Sequence, residues 1–269
     1  MKPLISVLFL FLIFSCQHEN LTTPNQTFNY DQIGIEHNKG LDYVFESLKK
    51  QKQDGINPDE LKTYLNIVES SSEEYINGSS YNVSAEQKVI IKKGISNKSQ
   101  AIKNYSTARI KSSDYIYNQI LGDTDSLLID NQRSSIKEIL TVVVDQNLEL
   151  EETLAQLSTI EKNASDKFDE SELPVILSVI SVAKYSVTYW NENGDKWAQE
   201  FGALSTNGRV KQKINWGWVG GTDVASAVSM GIACTPAVAG GPVGWGFATL
   251  AIGGAALVGS GGAALVQLL

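Results

Sequence analysis

The last 46 residues of this 269-residue chain, 224–269, contain no charged side chain. Ten of them are glycine and eleven are alanine, so 21 of the 46 have almost no side chain. Glycine is costly in a water-exposed helix, at about 1 kcal/mol relative to alanine. A helix with this composition therefore needs a close packing partner, which can be the rest of the protein, a second copy or a membrane.

Two breaks divide this tail into helical halves. Pro236 and the Gly240-Gly241-Pro242 group separate residues 224–239 from residues 243–269. The second half, with 27 residues, is long enough to cross a hydrocarbon layer of about 30 Å, whereas the first, with 16, is marginal. We therefore predict a Gly/Ala-rich apolar helical hairpin over residues 223–269.

Small residues recur every four positions in both halves, which is a glycine-zipper pattern. This spacing places small side chains along one helix face and lets two backbones approach closely. The predicted packing stripe consists of Ala225, Ser229, Ala233, Ala237, Ala251, Ala255, Gly259 and Ala263. The composition also resembles that of bacteriocin peptides that insert into membranes from outside.

Three interpretations of the tail stay open: a membrane hairpin, a bacteriocin-like inserting segment, and the buried helical pair of a soluble domain. The absence of charge favours membrane association. Self-association through the small-residue stripe is the other expected interaction.

The preceding body, residues 30–190, has apolar residues at helical spacing. Leu41, Val44, Phe45 and Leu48 follow the i, i+3, i+4, i+7 pattern, and 136–144 contains a similar stripe with Ile139 and Val143 at its centre. Ser84 and Gln87 form a predicted capping box. The predicted fold class is all-α: a helical bundle, with 171–190 as its central helix, then a turn-rich connector over 191–222 and the apolar hairpin.

The amino end has the pattern of an export signal. Lys2 precedes an apolar run over 4–14, and Ile13-Phe14-Ser15-Cys16 follows at its end. This segment resembles the lipobox of bacterial lipoproteins. The resemblance implies a signal peptide over 1–15, acyl chains on Cys16, a polar spacer over 16–29, and a location in the cell envelope, at the outer membrane or cell surface. Membrane lipid is accordingly the predicted partner.

Composition argues against several other functions. A net charge of −8 disfavours nucleic acid as a partner. Two histidines and two cysteines cannot build a multi-histidine or thiolate metal site, so we predict no metal and no cofactor. Acylation of Cys16 would leave Cys234 without a disulfide partner.

Catalytic chemistry has few candidates in this chain. His18 lies in the spacer, and His37 is interpreted as a polar residue near a helix end or on the surface. Glu73-Glu74 and Glu151-Glu152 are interpreted as solvated helix faces. We therefore predict a protein that is not an enzyme, with a hydrolase that uses an unrecognised carboxylate site as an alternative.

Two further motifs support export. Asp125-Ser126-Leu127 resembles the O-glycosylation signal of exported Bacteroidota proteins, which would make Ser126 an acceptor. Residues 33–43 and 183–190 resemble segments of exported lipoproteins from the same phylum, and this resemblance implies a compartment and an architecture but no activity. The expected function is that of a membrane-anchored lipoprotein whose tail inserts or self-associates. The main alternative is a tethered soluble helical binding module with the tail in its core.

Overall fold

The computed structural model describes residues 27–55, 61–105, 118, 126–145, 147–202, 214–239 and 241–268. The lipobox and Cys16 lie outside these residues. The described part of the chain is all-helical, which confirms the predicted fold class. Its helices are α1 (Asp31–Gln53), α2 (Leu61–Gly78), α3 (Ala85–Tyr105), α4 (Asp130–Val144), α5 (Leu150–Lys167), α6 (Leu173–Phe201), α7 (Trp216–Ala239) and α8 (Pro242–Leu268).

The predicted apolar stripes of the body are buried. In α1 all four residues of the stripe that begins at Leu41 face the core, and Ile139 and Val143 are buried in α4. The capping box at the start of α3 is confirmed, because the Ser84 backbone N–H donates to Oε1 of Gln87 at 2.9 Å and the Gln87 backbone N–H donates to Oγ of Ser84 at 3.2 Å. Amphipathic faces and local caps thus position the outer helices as the sequence predicts.

The central helix is α8 rather than the predicted segment 171–190. α8 packs against α1, α2, α3, α6 and α7, and 94% of its apolar stretch is buried. α6 is also long and packs against α1, α4, α5, α7 and α8, but only 72% of its apolar stretch is buried. The many glycines and alanines of α8 explain its greater burial, since small residues let the neighbouring helices approach closely.

The prediction of a turn-rich connector over residues 191–222 is wrong at both ends of this range. α6 continues through the polar residues 191–195 to Phe201, and α7 already begins at Trp216; residues 203–213 lie outside the described part. Trp197 and Phe201 follow Trp190 on the same buried side of α6, and the rings of both lie within 5.4 Å of the Phe45 ring. This aromatic packing holds the helix together through a sequence that resembles a turn.

α7 and α8 form the predicted hairpin. Gly241 in the turn has a φ of +80°, and a Cβ on Gly244 would lie 1.9 Å from the carbonyl oxygen of Ala237, so both positions require glycine. The first arm has 24 residues rather than the 16 counted from the charge-free segment, because it begins at Trp216. Both arms are therefore long enough to cross a bilayer.

Three helices of the described chain are long and apolar enough to span a membrane by length and composition. They are α6, α7 and residues Gly244–Leu268 of α8. In the folded bundle their apolar stretches are 72%, 61% and 94% buried, respectively. Much of the apolar surface that could face lipid is therefore covered by protein in this state.

Candidate functional site

A polar cluster lies inside the apolar centre of the bundle. It consists of His37 on α1, Ser186 on α6, Asp223 on α7 and Ser260 on α8, each with 0% of its surface exposed. Nε2 of His37 lies 3.2 Å from Oδ2 of Asp223 and 3.3 Å from Oγ of Ser260. The hydroxyl of Ser186 donates a hydrogen bond to the same Asp223 oxygen. Four helices thus meet at one carboxylate.

Close contact between α1 and α8 allows His37 to reach this position. A Cβ on Gly253 would lie 3.2 Å from the carbonyl oxygen of Ile33 and 3.4 Å from the backbone nitrogen of His37. Nδ1 of His37 lies 2.9 Å from Oδ1 of Asn38, whose amide nitrogen donates to the Tyr185 carbonyl at 3.1 Å. The ring is therefore fixed on both of its nitrogens.

The prediction that His37 lies near a helix end or on the surface is wrong. His37 is the seventh residue of α1 and follows Ile33 by one helical turn, with Leu41 and Val44 after it on the same buried face. Its spacing within that stripe was the signal that could have located it. Asp223 was not among the predicted site residues, because it immediately precedes the charge-free segment.

Two polar atoms near the cluster are buried without a hydrogen-bond partner among the described residues: Oδ1 of Asp223 and Oγ of Ser226. Each unsatisfied buried polar atom costs roughly 1–3 kcal/mol. The contacts with His37 and Ser186 thus satisfy Oδ2 of Asp223, and burial raises the pKa of this carboxyl group. These contacts make the fit between the hairpin and the outer helices specific, because no other residue of α7 or α8 is charged.

The cluster does not have the geometry of a Ser-His-Asp triad. In a triad the serine and the aspartate contact opposite ring nitrogens of the histidine. Here Ser260 and Asp223 both lie beside Nε2, and Nδ1 is beside Asn38. The complete burial of all the members also keeps them from a dissolved substrate. The arrangement is suited to holding helices together rather than to proton transfer.

The members of the predicted packing stripe differ in burial between α8 and α7. All four α8 members are buried, whereas Ala233 on α7 is exposed. The α7 residues beside Gly259 are Thr222 and Ser226, not Ala225. A spacing of four advances 40° around a helix of 3.6 residues per turn at each step, so the first and last members of the stripe do not share one face on either helix.

The other sequence-predicted positions lie apart from the cluster. Ser126 is exposed in a short turn before α4, where a modifying enzyme can reach it. Glu74, Glu151 and Glu152 are exposed as expected, whereas Glu73 is half-buried and lies 3.6 Å from Nζ of Lys92. The structure does not bring these carboxylates together with His37.

A second buried contact joins the outer helix α3 to the hairpin. Nζ of Lys98 donates to Oγ of Ser229 on α7 at 2.7 Å, and burial lowers the pKa of Lys98 to about 8. A buried lysine with a lowered pKa is destabilising in its charged form. Lys98, like Asp223, is therefore a polar group that is buried between the hairpin and the outer helices and would be more stable in water.

Comparison with protein families, with curated proteins and with solved structures gives no match for this chain.

Proposed function

We propose that this protein is a non-enzymatic, lipid-anchored envelope protein that stores a membrane-inserting hairpin inside its folded bundle. The observation that carries the proposal is the central position of α8, a 27-residue helix without a charge that the outer helices cover on its sides. Cys16 supplies the anchor, and α7 and α8 supply the membrane-active element.

The physical properties of α8 support this proposal. A helix that is apolar all round is stable only in a protein core or a lipid layer. At 1.5 Å per residue, α7 and α8 are about 36 and 40 Å long, which exceeds the hydrocarbon thickness of about 30 Å. The same hairpin can therefore exchange its protein neighbours for lipid without exposing its own apolar surface to water.

The second candidate function is that of a tethered soluble binding module, in which the hairpin is a permanent core. The burial of almost the whole of α8 favours it. The two candidates differ in whether the hairpin ever separates from the outer helices, and a covalent link across that contact distinguishes them.

A disulfide between α2 and α8 should prevent insertion. A Cβ on Gly261 would lie 3.3 Å from Cγ1 of Val68, so a sulfur near the position of Cγ1 would be within reach of a cysteine at position 261. We expect the oxidised Val68→Cys/Gly261→Cys protein, in a Cys16→Ser background, to be extracted from phospholipid vesicles by alkaline carbonate. The reduced protein should resist extraction, because its hairpin is free to enter the lipid.

Each single cysteine variant is the matched control and should behave like the reduced protein under both redox conditions. Gel mobility reports formation of the disulfide, and circular dichroism reports that both forms are folded. Carbonate extraction of the reduced and the unmodified proteins would contradict insertion and favour the tethered binding module.

Lipidation is a separate prediction. Cys16→Ala should abolish incorporation of labelled fatty acid, because the acceptor sulfur is lost, and should weaken sedimentation with membranes, since two or three acyl chains hold a protein firmly. Cys234→Ala is the control and should keep the label, because Cys234 is buried in α7. Labelling that persists in Cys16→Ala would contradict the proposed anchor.

A further inference from the structure

One end of the bundle, which we call the hairpin end, contains the α7–α8 turn. The α2–α3 loop lies there too, because a Cβ on Gly246 near the start of α8 would be 3.0 Å from the Tyr81 ring. The start of α6 lies beside the last part of α7, where a Cβ on Gly231 would be 3.7 Å from Val175. The Gln132 side chain of α4 donates to the Glu172 carbonyl just before α6, at 3.1 Å.

Large exposed aliphatic side chains in the described part of the chain are concentrated at this end. Val89 and Ile90, in the second turn of α3, are 66% and 48% exposed, and Leu127 and Ile129, which lead into α4, are 63% and 41% exposed. Tyr43, the remaining large exposed apolar residue of the described chain, lies in the middle of α1, about 18 Å along the helix from Asp31. Exposed apolar side chains grouped at one end indicate an interaction surface.

An open cavity of about 420 Å³ lies at the same end and has an uncharged lining. Phe28 and Trp245 meet in it with ring centroids 5.5 Å apart, beside Tyr81. Asn29, Gln32 and Asn82 supply amide groups. Aromatic rings next to polar groups are typical of protein surfaces at the headgroup level of a bilayer.

The charge of α3 is also suited to lipid. This helix contains five lysines and one glutamate. Lys98 is buried, and Lys92 and Lys103 pair with Glu73 and Glu69, whereas Lys93 is exposed and Lys88 is half-buried. Lys93 is exposed one turn after Val89, so a cation and an apolar side chain lie on the same face. Lysine beside apolar residues on an amphipathic helix favours anionic phospholipid.

The short distance along the chain from Cys16 to Thr27 favours a bilayer as the partner of the hairpin end. Thr27 lines the cavity, and ten residues separate it from Cys16, so the anchor can lie at most about 40 Å from this end. We infer that the hairpin end is the surface through which the folded bundle rests on a phospholipid bilayer, with Val89 and Ile90 in the headgroup region. This inference rests on the proposed anchor and brings the α7–α8 turn next to the lipid.

The test compares the two ends of the bundle. An environment-sensitive fluorophore is attached to a cysteine at Asn82, on the hairpin end, or at Gln53, at the opposite end of α1; both positions are exposed. The mature chain carries Cys234→Ala and a hexahistidine tag in place of Cys16, and it is held on vesicles of phosphatidylcholine and phosphatidylglycerol by a chelating lipid. Doxyl-labelled lipid should quench the fluorescence of the probe at Asn82 and leave the fluorescence of the probe at Gln53 unchanged.

A second measurement identifies the side chains that bind. Without the tag, Val89→Ser/Ile90→Ser should lower the vesicle partition coefficient about tenfold, whereas Tyr43→Ser, the matched exposed apolar residue, should leave it unchanged. Equal quenching at both ends, or equal partition of the two variants, would overturn the inference. Docking can succeed or fail whether or not the hairpin inserts, so carbonate extraction of the same samples reports the proposed function independently.

A glycan on Ser126 would hold Leu127 and Ile129 away from the bilayer. Docking therefore predicts that Ser126 is unmodified in the membrane-bound protein, which mass spectrometry of the peptide determines. A fully glycosylated Ser126 in that fraction would overturn the part of the surface formed by Leu127 and Ile129.

Discussion

His37→Leu is expected to lower the free energy of unfolding by about 1–3 kcal/mol, because it removes the imidazole beside Oδ2 of the fully buried Asp223, whose pKa is raised by burial. The remaining Ser186 hydrogen bond satisfies only one of the two carboxylate oxygens. Urea unfolding followed by circular dichroism measures the loss. An effect of this size is a large part of the total stability of a typical domain.

The double variant His37→Leu/Asp223→Leu tests whether the loss of stability in His37→Leu comes from leaving Asp223 without its partner. Replacing both partners of a buried polar contact with apolar residues can be nearly neutral or stabilising, so the double variant should be more stable than His37→Leu. It should also fit the hairpin less specifically, since α7 then has no charged group. Equal stability of the single and double variants would contradict a stabilising contact between His37 on α1 and Asp223 on α7.

Gly259→Leu is expected to destabilise the bundle by about 3 kcal/mol, because a side chain at this position has no space. A Cβ there would lie 2.6 Å from Oγ of Ser226 and 3.1 Å from the backbone oxygen of Thr222. The serine can rotate away, but the carbonyl oxygen moves only if the two helices separate. Thermal unfolding should therefore show a large decrease in melting temperature.

Leu257→Ile is the control for this prediction. Leu257 is as buried as its neighbours in α8 but already has a side chain of similar volume, so the change should cost less than about 1.5 kcal/mol. If the two variants melted at the same temperature, the close contact between α7 and α8 at Gly259 would be wrong.

Much of the fold was predictable because most helices in this chain have two unlike faces. The spacing of Leu41 to Leu48 defines one buried side of α1, and the structure buries it. α8 has no polar face, so its periodicity carries no information about which helices cover it. For that reason the hairpin was predictable as a unit, whereas its place at the centre was not.

The polar cluster could be predicted only in part. His37 lies on the same face as Ile33 and Leu41, so its burial was visible in the helical spacing. Its partner is 186 residues further along the chain, and no local pattern connects two residues at that distance. The pairing arises from tertiary packing, in particular from the close approach that Gly253 allows between α8 and α1.

The central position of α8 also affects how the chain can fold as it is made. α1, α2 and α3 all pack against α8, yet the ribosome synthesises them more than 130 residues earlier. Until α8 emerges, their apolar faces have no native surface to cover, and the loops that must close are long. We expect the nascent chain to stay loosely structured and dependent on chaperones until late in synthesis, and a chain that stops before Pro242 to aggregate or be degraded.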